Sequence, residues 1–365
     1  MNCIHLVDGE KGGVGKSIVA QAMFYYCLKT LRLIGKGSLK PAEVNSLLSQ
    51  NNTTTINNGD VSFEIKGYGV GNAVDVQSTE EEEDKIDDYT NNLNPNHPNI
   101  PLILIDADVT NQDVRKIYEE KYADFITEGF FSENQQQSEK SDSIFNAAFG
   151  KVVIVNVPSS AKVAIDSWFD LNDLFSEDSY TTPVKFVRWF VSNGTEKSLD
   201  LFSESTIKYD KMIHVLVKNM YFDKKWERLQ DSKYSKAVEK SIPCLFPALK
   251  ESCVKGLREE GLSYDKALRG KGYFKNTVVD RHVVKVFIDK FSSQFKGTKQ
   301  FEYLEKLGET IKDKNPSSED LTGGNANPPM QKKVASNSNE TDVEVTNDKK
   351  TTTGHSSAKS KTSCK

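Results

Sequence analysis

Short apolar runs alternate with stretches of helical period along most of this chain. The runs at 3–8, 102–106, 152–157, 184–191, 213–218 and 242–246 are continuous rather than alternating. Strands buried on both faces read this way. Between them, 17–33 carries Ile18, Ala22, Tyr25, Tyr26 and Leu28 at helical spacing, and 196–203 carries Leu199, Leu201 and Phe202. A long stretch at 277–307 repeats the pattern through Val278, Val279, Val283, Val284, Phe287, Ile288 and Phe291. Strands alternating with helices predict an α/β fold with a mostly parallel sheet flanked by helices on both faces. Ligands in such sheets bind beyond the C-terminal ends of the strands, so the informative residues should follow each run.

Two regions break the rhythm. Residues 35–99 contain Asn51-Asn52-Thr53-Thr54-Thr55, an acidic run at 80–84 and an Asn/Pro stretch at 91–98. Their one apolar alternation is Val61-Ser62-Phe63-Glu64-Ile65, a lone strand or hairpin arm. The rest of this insertion is expected to be largely loop. From Gly308 to Lys365 there is no Phe, Trp or Tyr, and this tail is expected to be disordered. One body, 1–34 plus 100–307, remains.

Composition agrees with a local deficit. Hydrophobic residues make up 37% of the 365, and mean hydropathy is −0.55. The 48 basic residues are outnumbered by 52 acidic ones, so any nucleic-acid contact would come from a local patch. No apolar run approaches a membrane span, and the run Ile4 to Val7 is too short for the core of a secretory signal. The five cysteines form no C-x-x-C pair, so a disulfide framework or Cys-ligated metal is not expected, and a reducing cytoplasm is.

Directly after the first run comes Gly9-Glu10-Lys11-Gly12-Gly13-Val14-Gly15-Lys16-Ser17, with a helix beginning at once. Glycines let successive amides turn inward toward an anion, and the helix N-terminus adds its dipole. Lys16 is placed for the β- and γ-phosphates and the Ser17 hydroxyl for Mg²⁺. The standard phosphate loop has Gly where this chain has Glu10. What fits throughout is K-G-G-x-G-K-S. This loop resembles the deviant Walker A loop of the MinD/ParA-type ATPases, a family that includes the nitrogenase iron protein. The resemblance implies a P-loop NTPase fold, ATP held on Gly12, Gly13, Val14, Gly15, Lys16, Ser17 and Ile18, and Lys11 reaching across a nucleotide-dependent homodimer to the partner's phosphates.

Later runs extend the likeness. Leu102-Ile103-Leu104-Ile105-Asp106-Ala107-Asp108 resembles the family's second motif, which implies Asp108 orienting the attacking water and Asp106 in the Mg²⁺ surroundings. The alternative is a helix cap and a turn. Val152-Val153-Ile154-Val155-Asn156-Val157-Pro158 resembles the Walker B strand, with Asn156 where the family has Asp. An amide still orients a metal-bound water but removes one negative charge, which implies slow hydrolysis or compensation by Asp106 and Asp108. A rival alignment makes Asp106 the Walker B residue. Asn219, ending 215–219, is the candidate reader of the adenine edge or an ordinary turn residue.

The last residues carry no large apolar side chain, which disfavours membrane anchoring. Paired cysteines for an iron–sulfur seam are missing. The segment 188–198 resembles ATPases of plasmid mobilisation, conjugation or stability. Lys271, Lys275, Arg281, Lys285, Lys290, Lys296 and Lys299, interleaved with Tyr273, Phe274, Phe287, Phe291 and Phe295, are either a sequence-independent DNA surface or a helix with its aromatic face turned inward. The expected function is a cytoplasmic ATP switch that dimerises, hydrolyses slowly and, with a partner or cargo protein, positions or transfers plasmid DNA. The alternatives are an ATP-dependent ligase of the same fold and a nucleotide-binding adaptor with little hydrolysis.

Overall fold

A computed structural model of the chain describes residues 2–35, 37–49, 56–58, 61–63, 101–132, 139–175 and 184–316. The strands are β1 (Asn2–Asp8), β2 (Ile56–Asn58), β3 (Val61–Phe63), β4 (Leu102–Asp106), β5 (Ile126–Thr127), β6 (Val152–Asn156), β7 (Val184–Ser192), β8 (Ile213–Asn219) and β9 (Ser241–Phe246). Seven form one parallel sheet in the order β5-β4-β6-β1-β7-β8-β9. The chain leaves β1 toward β4, returns to β6 beside β1, and then crosses to β7 on the other side of β1. The direction of winding therefore reverses around β1, and the crevice beyond its C-terminal end is the expected ligand position.

The helices are α1 (Lys16–Thr30), α2 (Pro41–Ser49), α3 (Asp113–Tyr122), α4 (Glu139–Asn146), α5 (Lys162–Leu171), α6 (Glu196–Lys208), α7 (Ser235–Glu239), α8 (Glu251–Glu259), α9 (Tyr264–Leu268), α10 (Val278–Gly297) and α11 (Glu302–Lys314). They cover both faces, because successive side chains of a strand point to opposite sides. From β1, Cys3 and Val7 join a core with α1, α3, α9, α10 and α11, while Ile4 and Leu6 join a second core with α4 and α5. A smaller cluster of Phe190, Phe202, Leu216 and Ala237 extends the second face under α6 and α7. The outer strand β9 holds Pro243, whose missing N–H is tolerated at an edge, and Gln294 Oε1 accepts from Leu245 N at 2.9 Å.

Two expectations are corrected and one is refined. The periodic stretch 277–307 is two helices, not one. The chain turns at 298–301, where Lys299 has φ +60° and Phe301 is buried against His5 and Trp189. The tail does not begin at 308, because α11 runs to Lys314 with Gly308 and Ile311 buried. The insertion 35–99 is not all loop at its start: α2 begins on Pro41, Glu43 Oε2 accepts from Lys40 N at 2.6 Å, and Val44 is fully buried. Lys314 Nζ donates to Leu47 O at 2.8 Å, joining α2 to α11. The alternation at 61–65 contributes β3, antiparallel to β2, as a hairpin arm. The acidic run at 80–84, the Asn/Pro stretch and the chain beyond 316 lie outside the described residues.

Two consequences of this packing are measurable. A Cβ at Gly308 would overlap the Thr30 carbonyl oxygen at the end of α1. Helix propensity alone favours Gly308→Ala by about 1 kcal/mol. Overlap with a backbone atom reverses that sign, so Gly308→Ala should lower stability by about 1–3 kcal/mol in urea unfolding. A more stable variant would contradict the contact. The second consequence concerns His5 and His214. Burial pushes the His5 imidazole down to about 3, and burial followed by the Arg188 charge pushes His214 down to about 4. Both stay neutral when folded and take protons when unfolded, so their stabilisation is complete above about pH 6.5 and is lost as pH falls. Unfolding free energy should drop by about 2 kcal/mol for each between pH 7 and pH 5. A flat profile over that interval would contradict the burial of neutral imidazoles.

Candidate functional site

The C-terminal edge of the sheet gathers the residues that the sequence singles out. The loop 9–17 leaves β1 between its neighbours β6 and β7. Its first residue has no room for a side chain: a Cβ on Gly9 would lie 2.5 Å from the Val191 carbonyl oxygen. Gly13 and Gly15 adopt φ of +81° and +101°, the left-handed region that favours glycine. Val14 between them is buried, and its carbonyl oxygen accepts from Asn219 Nδ2 at 2.8 Å. Asn219 Oδ1 accepts in turn from Tyr221 N at 3.1 Å. The residue expected at a base edge thus clamps the loop to the end of β8, with one amide hydrogen and one lone pair left over. Ile18 packs against the core below the loop.

Lys16 is buried, and its Nζ donates to the Lys11 carbonyl oxygen at 3.0 Å. Burial lowers its pKa, while the charges of Asp8 and Asp108 act in the opposite sense. Among the described residues no carboxylate pairs with it directly. A buried cation whose direct partner is a carbonyl, with Asp8 and Asp108 acting on it only through their charges, is costly unless an anion arrives. Lys11, by contrast, is exposed, as are Gly12 and Gly13. Glu10 does not face the loop's interior. Its side chain is 5% exposed, with Oε1 3.6 Å from Lys197 Nζ and Oε2 accepting from Thr195 Oγ1 at 3.5 Å. Thr195 caps α6 by accepting from Ser198 N, so Glu10 ties the loop to the start of that helix.

Across β6, Asp106 and Asn156 are register partners. Asn156 Nδ2 donates to Asp106 Oδ1 at 2.8 Å and lies 3.5 Å from Ser17 Oγ. Asp106 Oδ2 accepts from the amides of Val114 and Arg115 at 2.9 and 3.0 Å, at the start of α3. Burial raises the Asp106 pKa, these hydrogen bonds pull it down, and Asp108 raises it further. The opposite oxygen of Asn156, Oδ1, is buried with no hydrogen-bond partner. Ser17, Asp106 and Asn156 therefore do come together, with one acceptor unsatisfied. Asp108 is half-buried, and its Oδ1 accepts from Thr110 N, Thr110 Oγ1 and Asn111 N, an Asx turn. The strand-end turn Pro158-Ser159 approaches the loop, with Ser159 Oγ 3.8 Å from a Cβ built on Gly12.

The basic stretch divides cleanly. Phe274, Phe287, Phe291 and Phe295 are buried in the core, and the Tyr273 hydroxyl donates to Asp280 Oδ2 at 2.6 Å. Phe287, Phe291 and Phe295 thus form the inward face of α10, and Phe274 is buried from the 3₁₀ turn Gly272–Lys275 that precedes it, whereas Lys271, Lys275, Lys285, Lys290, Lys296 and Lys299 are exposed and Arg281 is half-buried.

One pairing in the site does not follow from the motifs. Asp8, at the end of β1, pairs with Arg188 of β7, and both are buried. The available signal was a lone Arg inside an apolar strand, because a charge so placed requires a partner.

Among the described residues no helix is long and apolar enough to cross a membrane. Comparison of the chain with models of known protein families, with curated proteins and with solved structures finds no match.

The clamp on Val14 predicts a stability effect. Asn219→Ala leaves a buried carbonyl without its donor and should cost about 1–3 kcal/mol in urea unfolding. An unchanged midpoint would mean that the loop holds its shape without β8.

Proposed function

We propose that this chain is a nucleotide-dependent switch acting in the cytoplasm. It binds ATP with Mg²⁺ on the loop 9–17, closes as a face-to-face dimer across Lys11, hydrolyses slowly and, with a partner protein, positions or transfers plasmid or other DNA cargo. The observation that carries this reading is the loop itself. A K-G-G-x-G-K-S segment leaves the strand at which the winding reverses, holds two glycines left-handed, and buries a lysine that no carboxylate among the described residues pairs with directly. Backbone amides and a buried cation at a helix N-terminus form a receptor for phosphate oxygens.

The residues at the end of β6 fit a hard cation shared with phosphates. Ser17 brings a hydroxyl, and Asn156 brings an orphaned buried oxygen that a metal-bound water would satisfy. Bound Mg²⁺ supplies charge neutralisation on the phosphate oxygens. Asp106 holds Asn156 in place and is itself fixed by two amides of α3. Lys16 supports the phosphates from within the chain, and Lys11, exposed on the loop, supports them from a second copy.

The adaptor reading with little hydrolysis is favoured by one further set of contacts. Asn156 carries no charge, and the oxygens of Asp106 and Oδ1 of Asp108 are engaged within the protein. Turnover measured alone, with DNA and with cargo extracts separates the two readings. Stimulated turnover supports the switch, and tight binding without turnover supports the adaptor.

Two lysine variants distinguish binding from assembly. In calorimetric titration with Mg·ATP, Lys16→Ala should lose at least about 100-fold in affinity, the loss expected when a charge-assisted contact to phosphate goes. Lys11→Ala should bind as the wild type does yet sediment as a monomer with ATP, where the wild type sediments as a dimer. Retained affinity in the first variant would sink the binding site, and an ATP-dependent dimer in the second would sink the shared site.

A further inference from the structure

The charges at the root of the loop, Asp8 and Arg188, lie outside the loop motif itself. We propose that Arg188 is a positioning residue for the phosphate loop: it neutralises Asp8, whose carboxylate holds the loop's first amide, and so allows an acidic strand end to carry a triphosphate site. The proposal rests on the nucleotide reading above.

Asp8 Oδ1 accepts from Gly9 N at 2.7 Å, which turns that amide back toward the strand. Its Oδ2 accepts from Arg188 Nε at 3.1 Å and also from Arg188 Nη2. Arg188 lies opposite Leu6 of β1 on one side and His214 of β8 on the other. Its Nη1 donates to Ser205 Oγ at 3.0 Å, and Ser205 Oγ lies 3.0 Å from His214 Nε2. His214 Nδ1 lies 3.0 Å from the Met212 carbonyl oxygen.

The proton positions in this row follow from the ends. A guanidinium only donates and a backbone carbonyl only accepts. Ser205 therefore accepts from Arg188 and gives its own hydrogen to His214 Nε2, while His214 Nδ1–H donates to Met212. Arg188 is thus fixed from both sides, and the Tyr209 ring lies 5.7 Å from its guanidinium carbon. Every polar group in the row is matched.

Stability alone is a poor reason for such a row, because a buried ion pair is often no better than an apolar replacement. Its place suggests the reason. Asp8 and Asp108 are the two carboxylates that favour the charged form of Lys16 against its burial. Asp8 is therefore useful to the lysine and harmful to an incoming polyanion. Arg188 cancels the harm, and the hydrogen bond to Gly9 keeps the loop's entry angle fixed.

The test uses the full chain as wild type, Arg188→Met, Asp8→Asn and the double variant, each measured by thermal unfolding and by titration with Mg·ATP. Arg188→Met leaves the Asp8 charge facing the phosphates and should bind about tenfold or more weakly. Asp8→Asn retains an acceptor for Gly9 N while removing the charge. It should melt lower, because Arg188 is left unpaired, yet bind as tightly as the wild type or more so. The double variant should return to within about threefold of wild-type affinity. A purely structural pair would not move melting temperature and affinity in opposite directions. The proposal is overturned if Asp8→Asn loses affinity along with stability, or if folded Arg188→Met binds as the wild type does. Should Arg188→Met fail to fold, Asp8→Asn and the double variant decide. A wild type that binds no Mg·ATP overturns the nucleotide reading itself, before any variant is compared.

Discussion

The loop between β1 and α1 keeps its shape because the ends of two neighbouring strands hold its backbone. Gly9 lies against the Val191 carbonyl of β7 at a distance that admits no side chain, and the Val14 carbonyl is held by Asn219 of β8. On either side of Val14 the chain turns through a left-handed residue, and glycine provides both, Gly13 and Gly15. The sheet therefore dictates the loop. Parallel strands put β7 and β8 endings on the same edge as the β1 ending, and that edge is where the winding reverses. Glu10, which occupies a position that a standard phosphate loop gives to glycine, adds a third tie, to the start of α6.

On the other side of β1, charge decides what the site can do. Asp106 and Asn156 are linked directly, and the amide orientation follows from its neighbour, since a carboxylate accepts and only the NH₂ group can donate to it. That leaves Asn156 Oδ1 orphaned in a buried place. An acceptor with no partner from the protein costs free energy unless water or a ligand supplies one. An aspartate at 156 would set two carboxylates at hydrogen-bond distance and drive up the pKa of one of them. The neutral amide avoids that repulsion at the expense of one charge that a bound Mg²⁺ would have used. This exchange is the physical basis for expecting slow turnover.

The sheet strands longer than two residues were legible as continuous apolar runs; burial on both faces explains those runs in the inner strands, whereas the edge strand β9 carries the same pattern with Pro243 and Leu245 exposed. The two-residue β5, Ile126–Thr127, is too short to carry a pattern. The break between α10 and α11 was hidden because Phe295, Phe301 and Leu304 are all buried, so the apolar spacing runs through it, while the turn depends on a positive φ at Lys299 that sequence does not announce. The end of α11 was missed because Ile311 alone carries its apolar face after Gly308. In the site, the glycines and lysines were readable because their chemistry is local. The Asp8–Arg188 pair was not, since its members are 180 residues apart and meet only through strand order. Asn219 was placed at the right edge, but its contacts with the loop depend on tertiary register.

The proposed switch requires that the amides of residues 12–17 receive phosphate oxygens. Amide hydrogen exchange on the full chain, with and without Mg·ATP, tests it most directly. The account predicts strong new protection confined to 12–17 and the 156–159 turn, with α10 and α11 unchanged. Exchange in 12–17 that does not respond to saturating nucleotide would contradict it.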